Sequence, residues 1–469
     1  MITKIKSKKI KKSLLSLHQK KVFYWQKNKR YVGFFLEMRL GKTRLSIICV
    51  MADSHCFPCL IFCPYSAIDG WINDLIICGN KKNIDFICID GIKDKRIDIL
   101  KRYKDSDIKF FLVNKESHLS IGKELSLLQW GAVIIDESTC IKNYDTYISQ
   151  YFTKNFRNVY KRIILSGTPM PENELDIYQQ IEFLDHNIFN NINHFIHFRN
   201  TYFKQTRYGW APTIKSKEII AKKLAKCCYT MSRKDAGLYV NQVYEKKILQ
   251  LKSKTMKTYR DFVKNFILEY DSKIYKVTDW VLSQYISLRQ LCGGFVKDSE
   301  TLEYKCIDDS KFKLLIDLIK NELINNQIII WCSFNHEIDY IHKLLNKYKI
   351  SNTFLYGKIK KSEISLRVKA FQNNKIKTII CQPSCFEEGT TLNKADTTIY
   401  YSSPVGGKAR SQTEARMNNP FIDEIDLIID LVASNTVDER ILQSNLRKEN
   451  NQLSMLNLMK YLQKQFKEF

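Results

Sequence analysis

The chain has 469 residues, 44% of them hydrophobic, enough for about two to three domains with real cores. Its 75 Lys and Arg against 49 Asp and Glu leave a formal charge of +26; such a field draws polyanions, nucleic acid first among them, although a Lys-, Ile- and Asn-rich composition from an AT-rich genome accounts for it more blandly. No run of ~18 apolar residues marks a membrane span, the N-terminus lacks the apolar stretch and cleavage site of a secretory signal, and 14 scattered cysteines frame no disulfide scaffold, so a globular intracellular protein is expected.

Lys4 to Lys12, KIKSKKIKK, reads as a basic arm, a nuclear address or a solvated helix start. LLSLHQKKVFYWQ (14–26) has amphipathic helical spacing, YVGFFLEM (31–38) is an expected strand, and TRLSIICVMA (43–52) returns to helix. Between the last two lie Gly41, Lys42 and Thr43. Strand, glycine-lysine-threonine turn and helix is the context a phosphate-binding loop needs, since backbone N–H groups and the lysine meet phosphate while the hydroxyl meets Mg²⁺. Leu36 stands where such a loop usually has its first glycine. Cys56-Phe-Pro-Cys59 has zinc-ligand spacing, but no second pair closes a tetrahedral site and Cys59 and Cys63 fall in the apolar run CLIFC, so buried thiols are expected.

Strand-length apolar runs follow at 59–64, 108–114, 131–136 and 162–167. Their alternation with helical segments predicts a parallel sheet. From about 184 to 310 long charged amphipathic stretches, among them SKEIIAKKLAKCCYTM (216–231), read as helices with few strands. Strands resume at 327–334, 348–357, 376–382, 396–403 and 426–433, and a polar-faced helical tail follows. The expected fold is α/β, with domains at 1–184, 185–310 (a helical insertion), 311–435 and 436–469.

Two further motifs carry chemistry. VIIDES (133–138) ends an aliphatic strand in paired carboxylates: Asp136 at the tip is placed to hold Mg²⁺, and Glu137 to polarise a water for in-line attack on a γ-phosphate. LSGTPMPENELDIY begins at Leu165, and its hydroxyls on Ser166 and Thr168 are placed to bond nearby carboxylates. Each motif taken alone is an ordinary strand end or turn.

GKT, DES and SGTP in this order, followed by a second α/β domain, resemble superfamily II helicases and translocases of the Swi/Snf-like branch, and especially compact members carried by bacteriophages. In that branch the loop commonly does without the first glycine, and LEMRLGKT is similar to its usual spelling apart from Leu36 and Arg39. The resemblance runs from about 14 to 420 and implies two RecA-like parallel-sheet domains in tandem with helical insertions. It also implies ATP and Mg²⁺ as cofactors and DNA, duplex or branched, as the partner of a monomeric motor core away from membranes. It places Gln19 on the adenine, Pro64 and Ser66 of PYSAIDGW on the DNA backbone, and Thr390 and Thr391 of EEGTTLNK at the DNA contact, with Gly389 at the nucleotide cleft. MSRKDAG (231–237) and LRQLCGG (288–294) resemble landmarks of the insertions. In the last motif, QTEARMNN, Gln412 and Arg416 match, while Asn419 stands where a second arginine usually reaches the γ-phosphate from the opposite domain; Arg410 and Arg367 are the possible substitutes. The implied activity is an ATP-dependent DNA helicase or translocase in replication, recombination or repair, in the cytoplasm of a host cell if phage-encoded. A scaffold of the same fold without turnover, or an RNA helicase, are the alternatives.

Overall fold

A computed structural model describes residues 14–79, 86–103, 106–189, 194–206, 209–238, 241–272, 278–298, 300–357, 359, 361–385, 392–417, 425–447, 455, 456 and 459, with backbone alone at 241, 265–272, 278–282, 361, 362, 385 and 425. The basic run 4–12, Gly389, Thr390, Thr391 and Asn419 lie outside the described residues. The chain forms two compact units.

In the first unit, seven strands form one sheet in the order β3-β4-β2-β5-β6-β1-β9. They are β1 (Tyr31–Leu36), β2 (Cys59–Cys63), β3 (Phe86–Ile89), β4 (Phe110–Asn114), β5 (Ala132–Ile135), β6 (Lys161–Leu165) and β9 (Cys228–Met231), while β7 (Phe203–Thr206) and β8 (Gly209–Pro212) make a separate hairpin. Every pairing in the large sheet is parallel. Successive residues of a strand point to opposite faces, so Phe35, Phe62 and Ile135 enter one core while Phe34, Ile61 and Ile134 enter the other. Burial on both faces explains why these strands are continuous apolar runs; each such side chain stabilises the unit by about 1.5–3 kcal/mol. Met455, Leu456 and Met459 belong to the first of these cores.

The stretch 216–231 is more than a helix. Its helix ends at Cys227, Cys228 turns to an extended backbone (φ −118°, ψ 134°), and β9 joins the edge of the sheet beside β1. A Cβ on Gly33 would lie 2.7 Å from Cys228 Sγ, so the closeness of these two strands requires that glycine.

The second unit has an all-parallel six-stranded sheet in the order β10-β17-β16-β13-β15-β14. Its strands are β10 (Asn241–Leu249), β13 (Ile328–Trp331), β14 (Asn352–Leu355), β15 (Thr378–Cys381), β16 (Thr397–Tyr400) and β17 (Ile425–Ala433), with β11 (Phe295–Lys297) and β12 (Tyr304–Cys306) forming a hairpin. The same alternation sends Ile328 and Ile330 to one core and Ile329 and Trp331 to the other. The stretch 185–310 thus supplies an edge strand to each large sheet. Two wholly parallel sheets in tandem are what the α/β expectation requires. No helix among the described residues is long and apolar enough to cross a membrane.

Candidate active site

Because the first sheet is wholly parallel, the carboxyl ends of all its strands open on one edge, where ligands of such sheets bind. That edge collects the loop after β1, Pro64 after β2, Asp136 after β5, Ser166 after β6 and Arg233 after β9.

Helix α2 (Lys42–Met51) begins directly after Gly41, whose backbone is left-handed at φ 71°, ψ 41°. Its first-turn N–H groups and positive dipole end form an anion site. Lys42 Nζ donates to the carbonyls of Leu36 (2.9 Å) and Glu37 (3.4 Å), folding the side chain back over the loop, and Thr43 follows in the first turn of the helix. Gln19, on α1 (Leu17–Gln26), donates its amide to the carbonyls of Leu40 (3.1 Å) and Gly41 (3.2 Å) and accepts from Ser16 N–H (2.9 Å). Its described bonds therefore go to the loop and to its own helix cap; reading a base requires exchanging them. Arg39 takes φ 68°, the conformation a glycine there would adopt freely.

At the tip of β5 the Asp136 carboxyl accepts from Trp71 Nε1 (2.8 Å) through Oδ2 and from Glu137 N–H (3.0 Å) through Oδ1. Burial, then the neighbouring Glu137 charge, push its pKa up to about 6 against the opposing pull of the Trp71 bond and the Lys42 charge. Glu137 is buried with left-handed backbone at φ 50°. Ser166 Oγ accepts from Thr168 N–H (3.1 Å), and Thr168 Oγ1 is buried with no hydrogen-bond partner among the described residues. A Cβ on Gly167 would lie 3.2 Å from Met38 Cγ, so this turn abuts the phosphate-loop region. Ser66 follows Pro64 in a short 3-10 turn that leads into α3 (Ile68–Cys78).

Three supports in this unit were not named among the sequence-based site residues. The Glu37 carboxylate accepts from Arg233 N–H (2.6 Å) and Nε (3.0 Å), fastening the loop to the segment after β9 across 196 residues of sequence. Gln180, fully buried, accepts from Ser138 Oγ (2.7 Å) and donates to the Pro169 carbonyl (2.7 Å), joining the DES and SGTP segments. Trp71 is the third. Polar residues inside an amphipathic helix, such as Gln180 in IYQQIEFL, were the available signal.

Cys56, Cys59 and Cys63 are buried, and burial pushes the Cys56 thiol up to about 12 and the Cys59 thiol well above its usual range. Neutral thiols in a core are poor metal ligands.

In the second unit Gln412 and Arg416 lie four residues apart on one face of the helix Gly407–Met417. Arg410 is otherwise engaged: it is 7% exposed, pairs through both terminal nitrogens with Asp430 (2.6 and 2.8 Å) and stacks 3.5 Å from the Tyr400 ring centroid. Arg367 is held by Glu363 (2.6 Å) and the Phe354 carbonyl (2.7 Å). Neither is poised as a spare phosphate-binding cation in this conformation.

The pattern of the SNF2-related domain matches residues 18–294, and that of the helicase conserved C-terminal domain matches 310–418. The chain is similar to the uncharacterized ATP-dependent helicase MG018 of Mycoplasma genitalium, 23% identical over 427 residues that cover 88% of this chain and 39% of that protein. It is 22% identical over 441 residues to the transcription regulatory protein SNF2 of Saccharomyces cerevisiae, covering 88% and 26%. Among solved structures, the Sulfolobus solfataricus SWI2/SNF2 ATPase core in complex with dsDNA aligns over 97% of this chain and 96% of that one, with 19% identity and a TM-score of 0.45. The chain spans at most 39% of the length of these curated relatives. With the first pattern covering more than half of its residues, the chain belongs to the SNF2-related family.

Proposed function

We propose that the chain is a DNA-dependent ATPase of the helicase/translocase type, coupling ATP hydrolysis to movement along duplex or branched DNA. The observation that carries this reading is the placement of Lys42, at the N-terminus of α2, where its charge acts on Asp136, beside the buried Glu137, at the carboxyl edge of a parallel sheet. The donors fit a magnesium nucleotide: a cation and helix-end N–H groups for phosphate, and hard hydroxyl and carboxylate oxygens for the metal.

In this reading Lys42, Gly41 and the first turn of α2 hold the phosphates, with Gln19 on the base side and Gly389 at the cleft. Thr43 and Asp136 would hold Mg²⁺, which would neutralise phosphate charge when bound. Glu137 orients the attacking water and draws on its proton. Arg416, with Gln412 beside it, supplies positive charge for the transition state. Ser166 and Thr168 transmit the nucleotide state, and Pro64, Ser66, Thr390 and Thr391 meet the DNA backbone, so tracking is indifferent to sequence. Asn419 favours the second reading, a nucleic-acid-binding scaffold without turnover, because one cation of the motif is replaced.

The test is ATP hydrolysis by the purified protein with single-stranded, duplex, forked and four-way DNA, and with structured RNA. Stimulation by DNA is expected, falling about 10²–10³-fold or more in Lys42→Ala. Hydrolysis unmoved by that substitution sinks the proposal; tight DNA binding with ATP bound but uncleaved supports the scaffold.

A further inference from the structure

Asp136 is tied down more firmly than a strand-tip carboxylate need be. One oxygen takes the backbone N–H of Glu137, and the other takes an indole N–H from a different element. Trp71, the donor, is 1% exposed, so this N–H has no water to turn to, and a buried indole N–H that lacked an acceptor would leave a desolvated donor unpaid. Trp71 sits in the first turn of α3, and α3 is fastened in its turn: Arg44, one residue past Thr43 in the first turn of α2, donates from Nε (3.0 Å) and Nη2 (2.7 Å) to Asp74 Oδ1. The indole is thus presented from a helix whose place is fixed by the phosphate-binding helix itself. A carboxylate has about four lone-pair sites, and these two bonds occupy half of them in defined directions.

We propose that Trp71 is a positioning residue for the metal site, holding the Asp136 carboxylate in the orientation in which it binds Mg²⁺. This rests on the reading of Asp136 as the metal-binding carboxylate. Partners of this kind, hydrogen-bonded to a ligand rather than to the metal, are worth about 10–100-fold in metal affinity. A tryptophan that merely fills the core between α3 and the sheet would be replaceable by phenylalanine without loss of metal affinity.

The experiment is direct binding of Mn²⁺, followed by electron paramagnetic resonance in the presence of ADP, to the full chain and to Trp71→Phe and Asp136→Asn. Trp71→Phe is expected to weaken Mn²⁺ about tenfold, to leave the affinity for a fluorescent ADP in EDTA unchanged, and to raise the Mg²⁺ concentration for half-maximal hydrolysis with kcat recovered at saturation. Unchanged Mn²⁺ affinity in Trp71→Phe, with binding lost in Asp136→Asn, overturns the proposal for Trp71 alone. Unchanged affinity in Asp136→Asn overturns the reading of Asp136 and the proposal with it. Should Trp71→Phe lose its fold, seen as lost ADP binding in EDTA, indole ¹⁵N–¹H spectra of the unaltered chain decide. The proposal expects one strongly hydrogen-bonded indole signal that Mn²⁺·ADP broadens in the unaltered chain and not in Asp136→Asn; the absence of such a signal overturns it.

Discussion

Gly41 shows how a single residue ties the loop to its surroundings. A Cβ there would lie 2.1 Å from Gln19 Nε2, and the backbone is left-handed at φ 71°. Two separate penalties therefore bar a side chain: about 1–2 kcal/mol for the left-handed conformation, and the loss of the bonds Gln19 makes to the Leu40 and Gly41 carbonyls. Gly41→Ala is expected to destabilise the first unit in urea and to weaken ADP binding. In a Gln19→Ala background it should cost less, because only the backbone penalty remains. Equal costs in both backgrounds would show that Gln19 is not what excludes the side chain. Two residues away, Arg39 carries a left-handed backbone without being glycine, so this loop tolerates a side chain in a conformation that favours glycine.

Among the elements, what the sequence disclosed and what it hid have the same cause. Strands buried on both faces must be apolar throughout, so β1, β2, β5 and β6 stood out as runs whose ends needed only small trimming. β9 was hidden because an amphipathic helix runs into it with no glycine or proline between them. β10, NQVYEKKIL, was hidden because it is an edge strand with exposed Val243, Tyr244 and Ile248, and mixes charges into its pattern. The loop, DES and SGTP segments were legible because their chemistry demands particular residues in sequence. Glu37–Arg233 and Trp71–Asp136 were not, since a pairing across 196 or 65 residues leaves no local trace. A buried element contact in the second unit leads to a pH prediction. Glu337 caps the helix Asn335–Lys347 by accepting from Phe334 N–H (3.3 Å) and takes the Ser402 hydroxyl (2.5 Å), while its Oε1 is buried without a hydrogen-bond partner among the described residues. Burial raises its pKa to about 7, against the Ser402 bond and the charges of Lys311 and Arg289 that face it. Cys332 and Tyr401, which also face it, are neutral because burial lifts both well above their usual range. The folded unit thus holds this proton more tightly than the unfolded chain does. The resulting stability is complete below the ordinary carboxylate range and is lost as pH rises through about 7. Glu337→Gln should flatten urea-unfolding stability between pH 5 and 8 and raise it at pH 8 by on the order of 3 kcal/mol. A variant whose pH profile parallels the parent's would show that Glu337 is ionised in the fold.

At the scale of the whole molecule, the charge of +26 fits both a polyanion-tracking surface and a drift in composition, and salt dependence separates the two. A protein that neutralises phosphates releases the counterions condensed on DNA, so its affinity falls linearly on logarithmic axes with salt, by about 0.9 per phosphate contact on duplex. Excess lysine that faces only solvent contributes little to that slope. Contacts to phosphate also carry no base information, so two duplexes of equal length and unrelated sequence should give the same slope and affinities within about tenfold. Fluorescence anisotropy between 50 and 200 mM salt is expected to show a loss of about 10³-fold if some six phosphates are engaged. The six lysines between Lys4 and Lys12 can be weighed in the same titration. A basic arm lying on the backbone accounts for up to about 5 units of slope, so a chain lacking residues 1–12 would bind more weakly at low salt and converge with the full chain at high salt. A solvated helix start leaves the slope where it was. Should the arm prove to lie on DNA, it would tether that DNA in sequence just ahead of α1, whose Gln19 donates to the Leu40 carbonyl of the loop. The truncated chain should therefore also need more DNA for half-maximal stimulation of hydrolysis, with its basal rate unchanged.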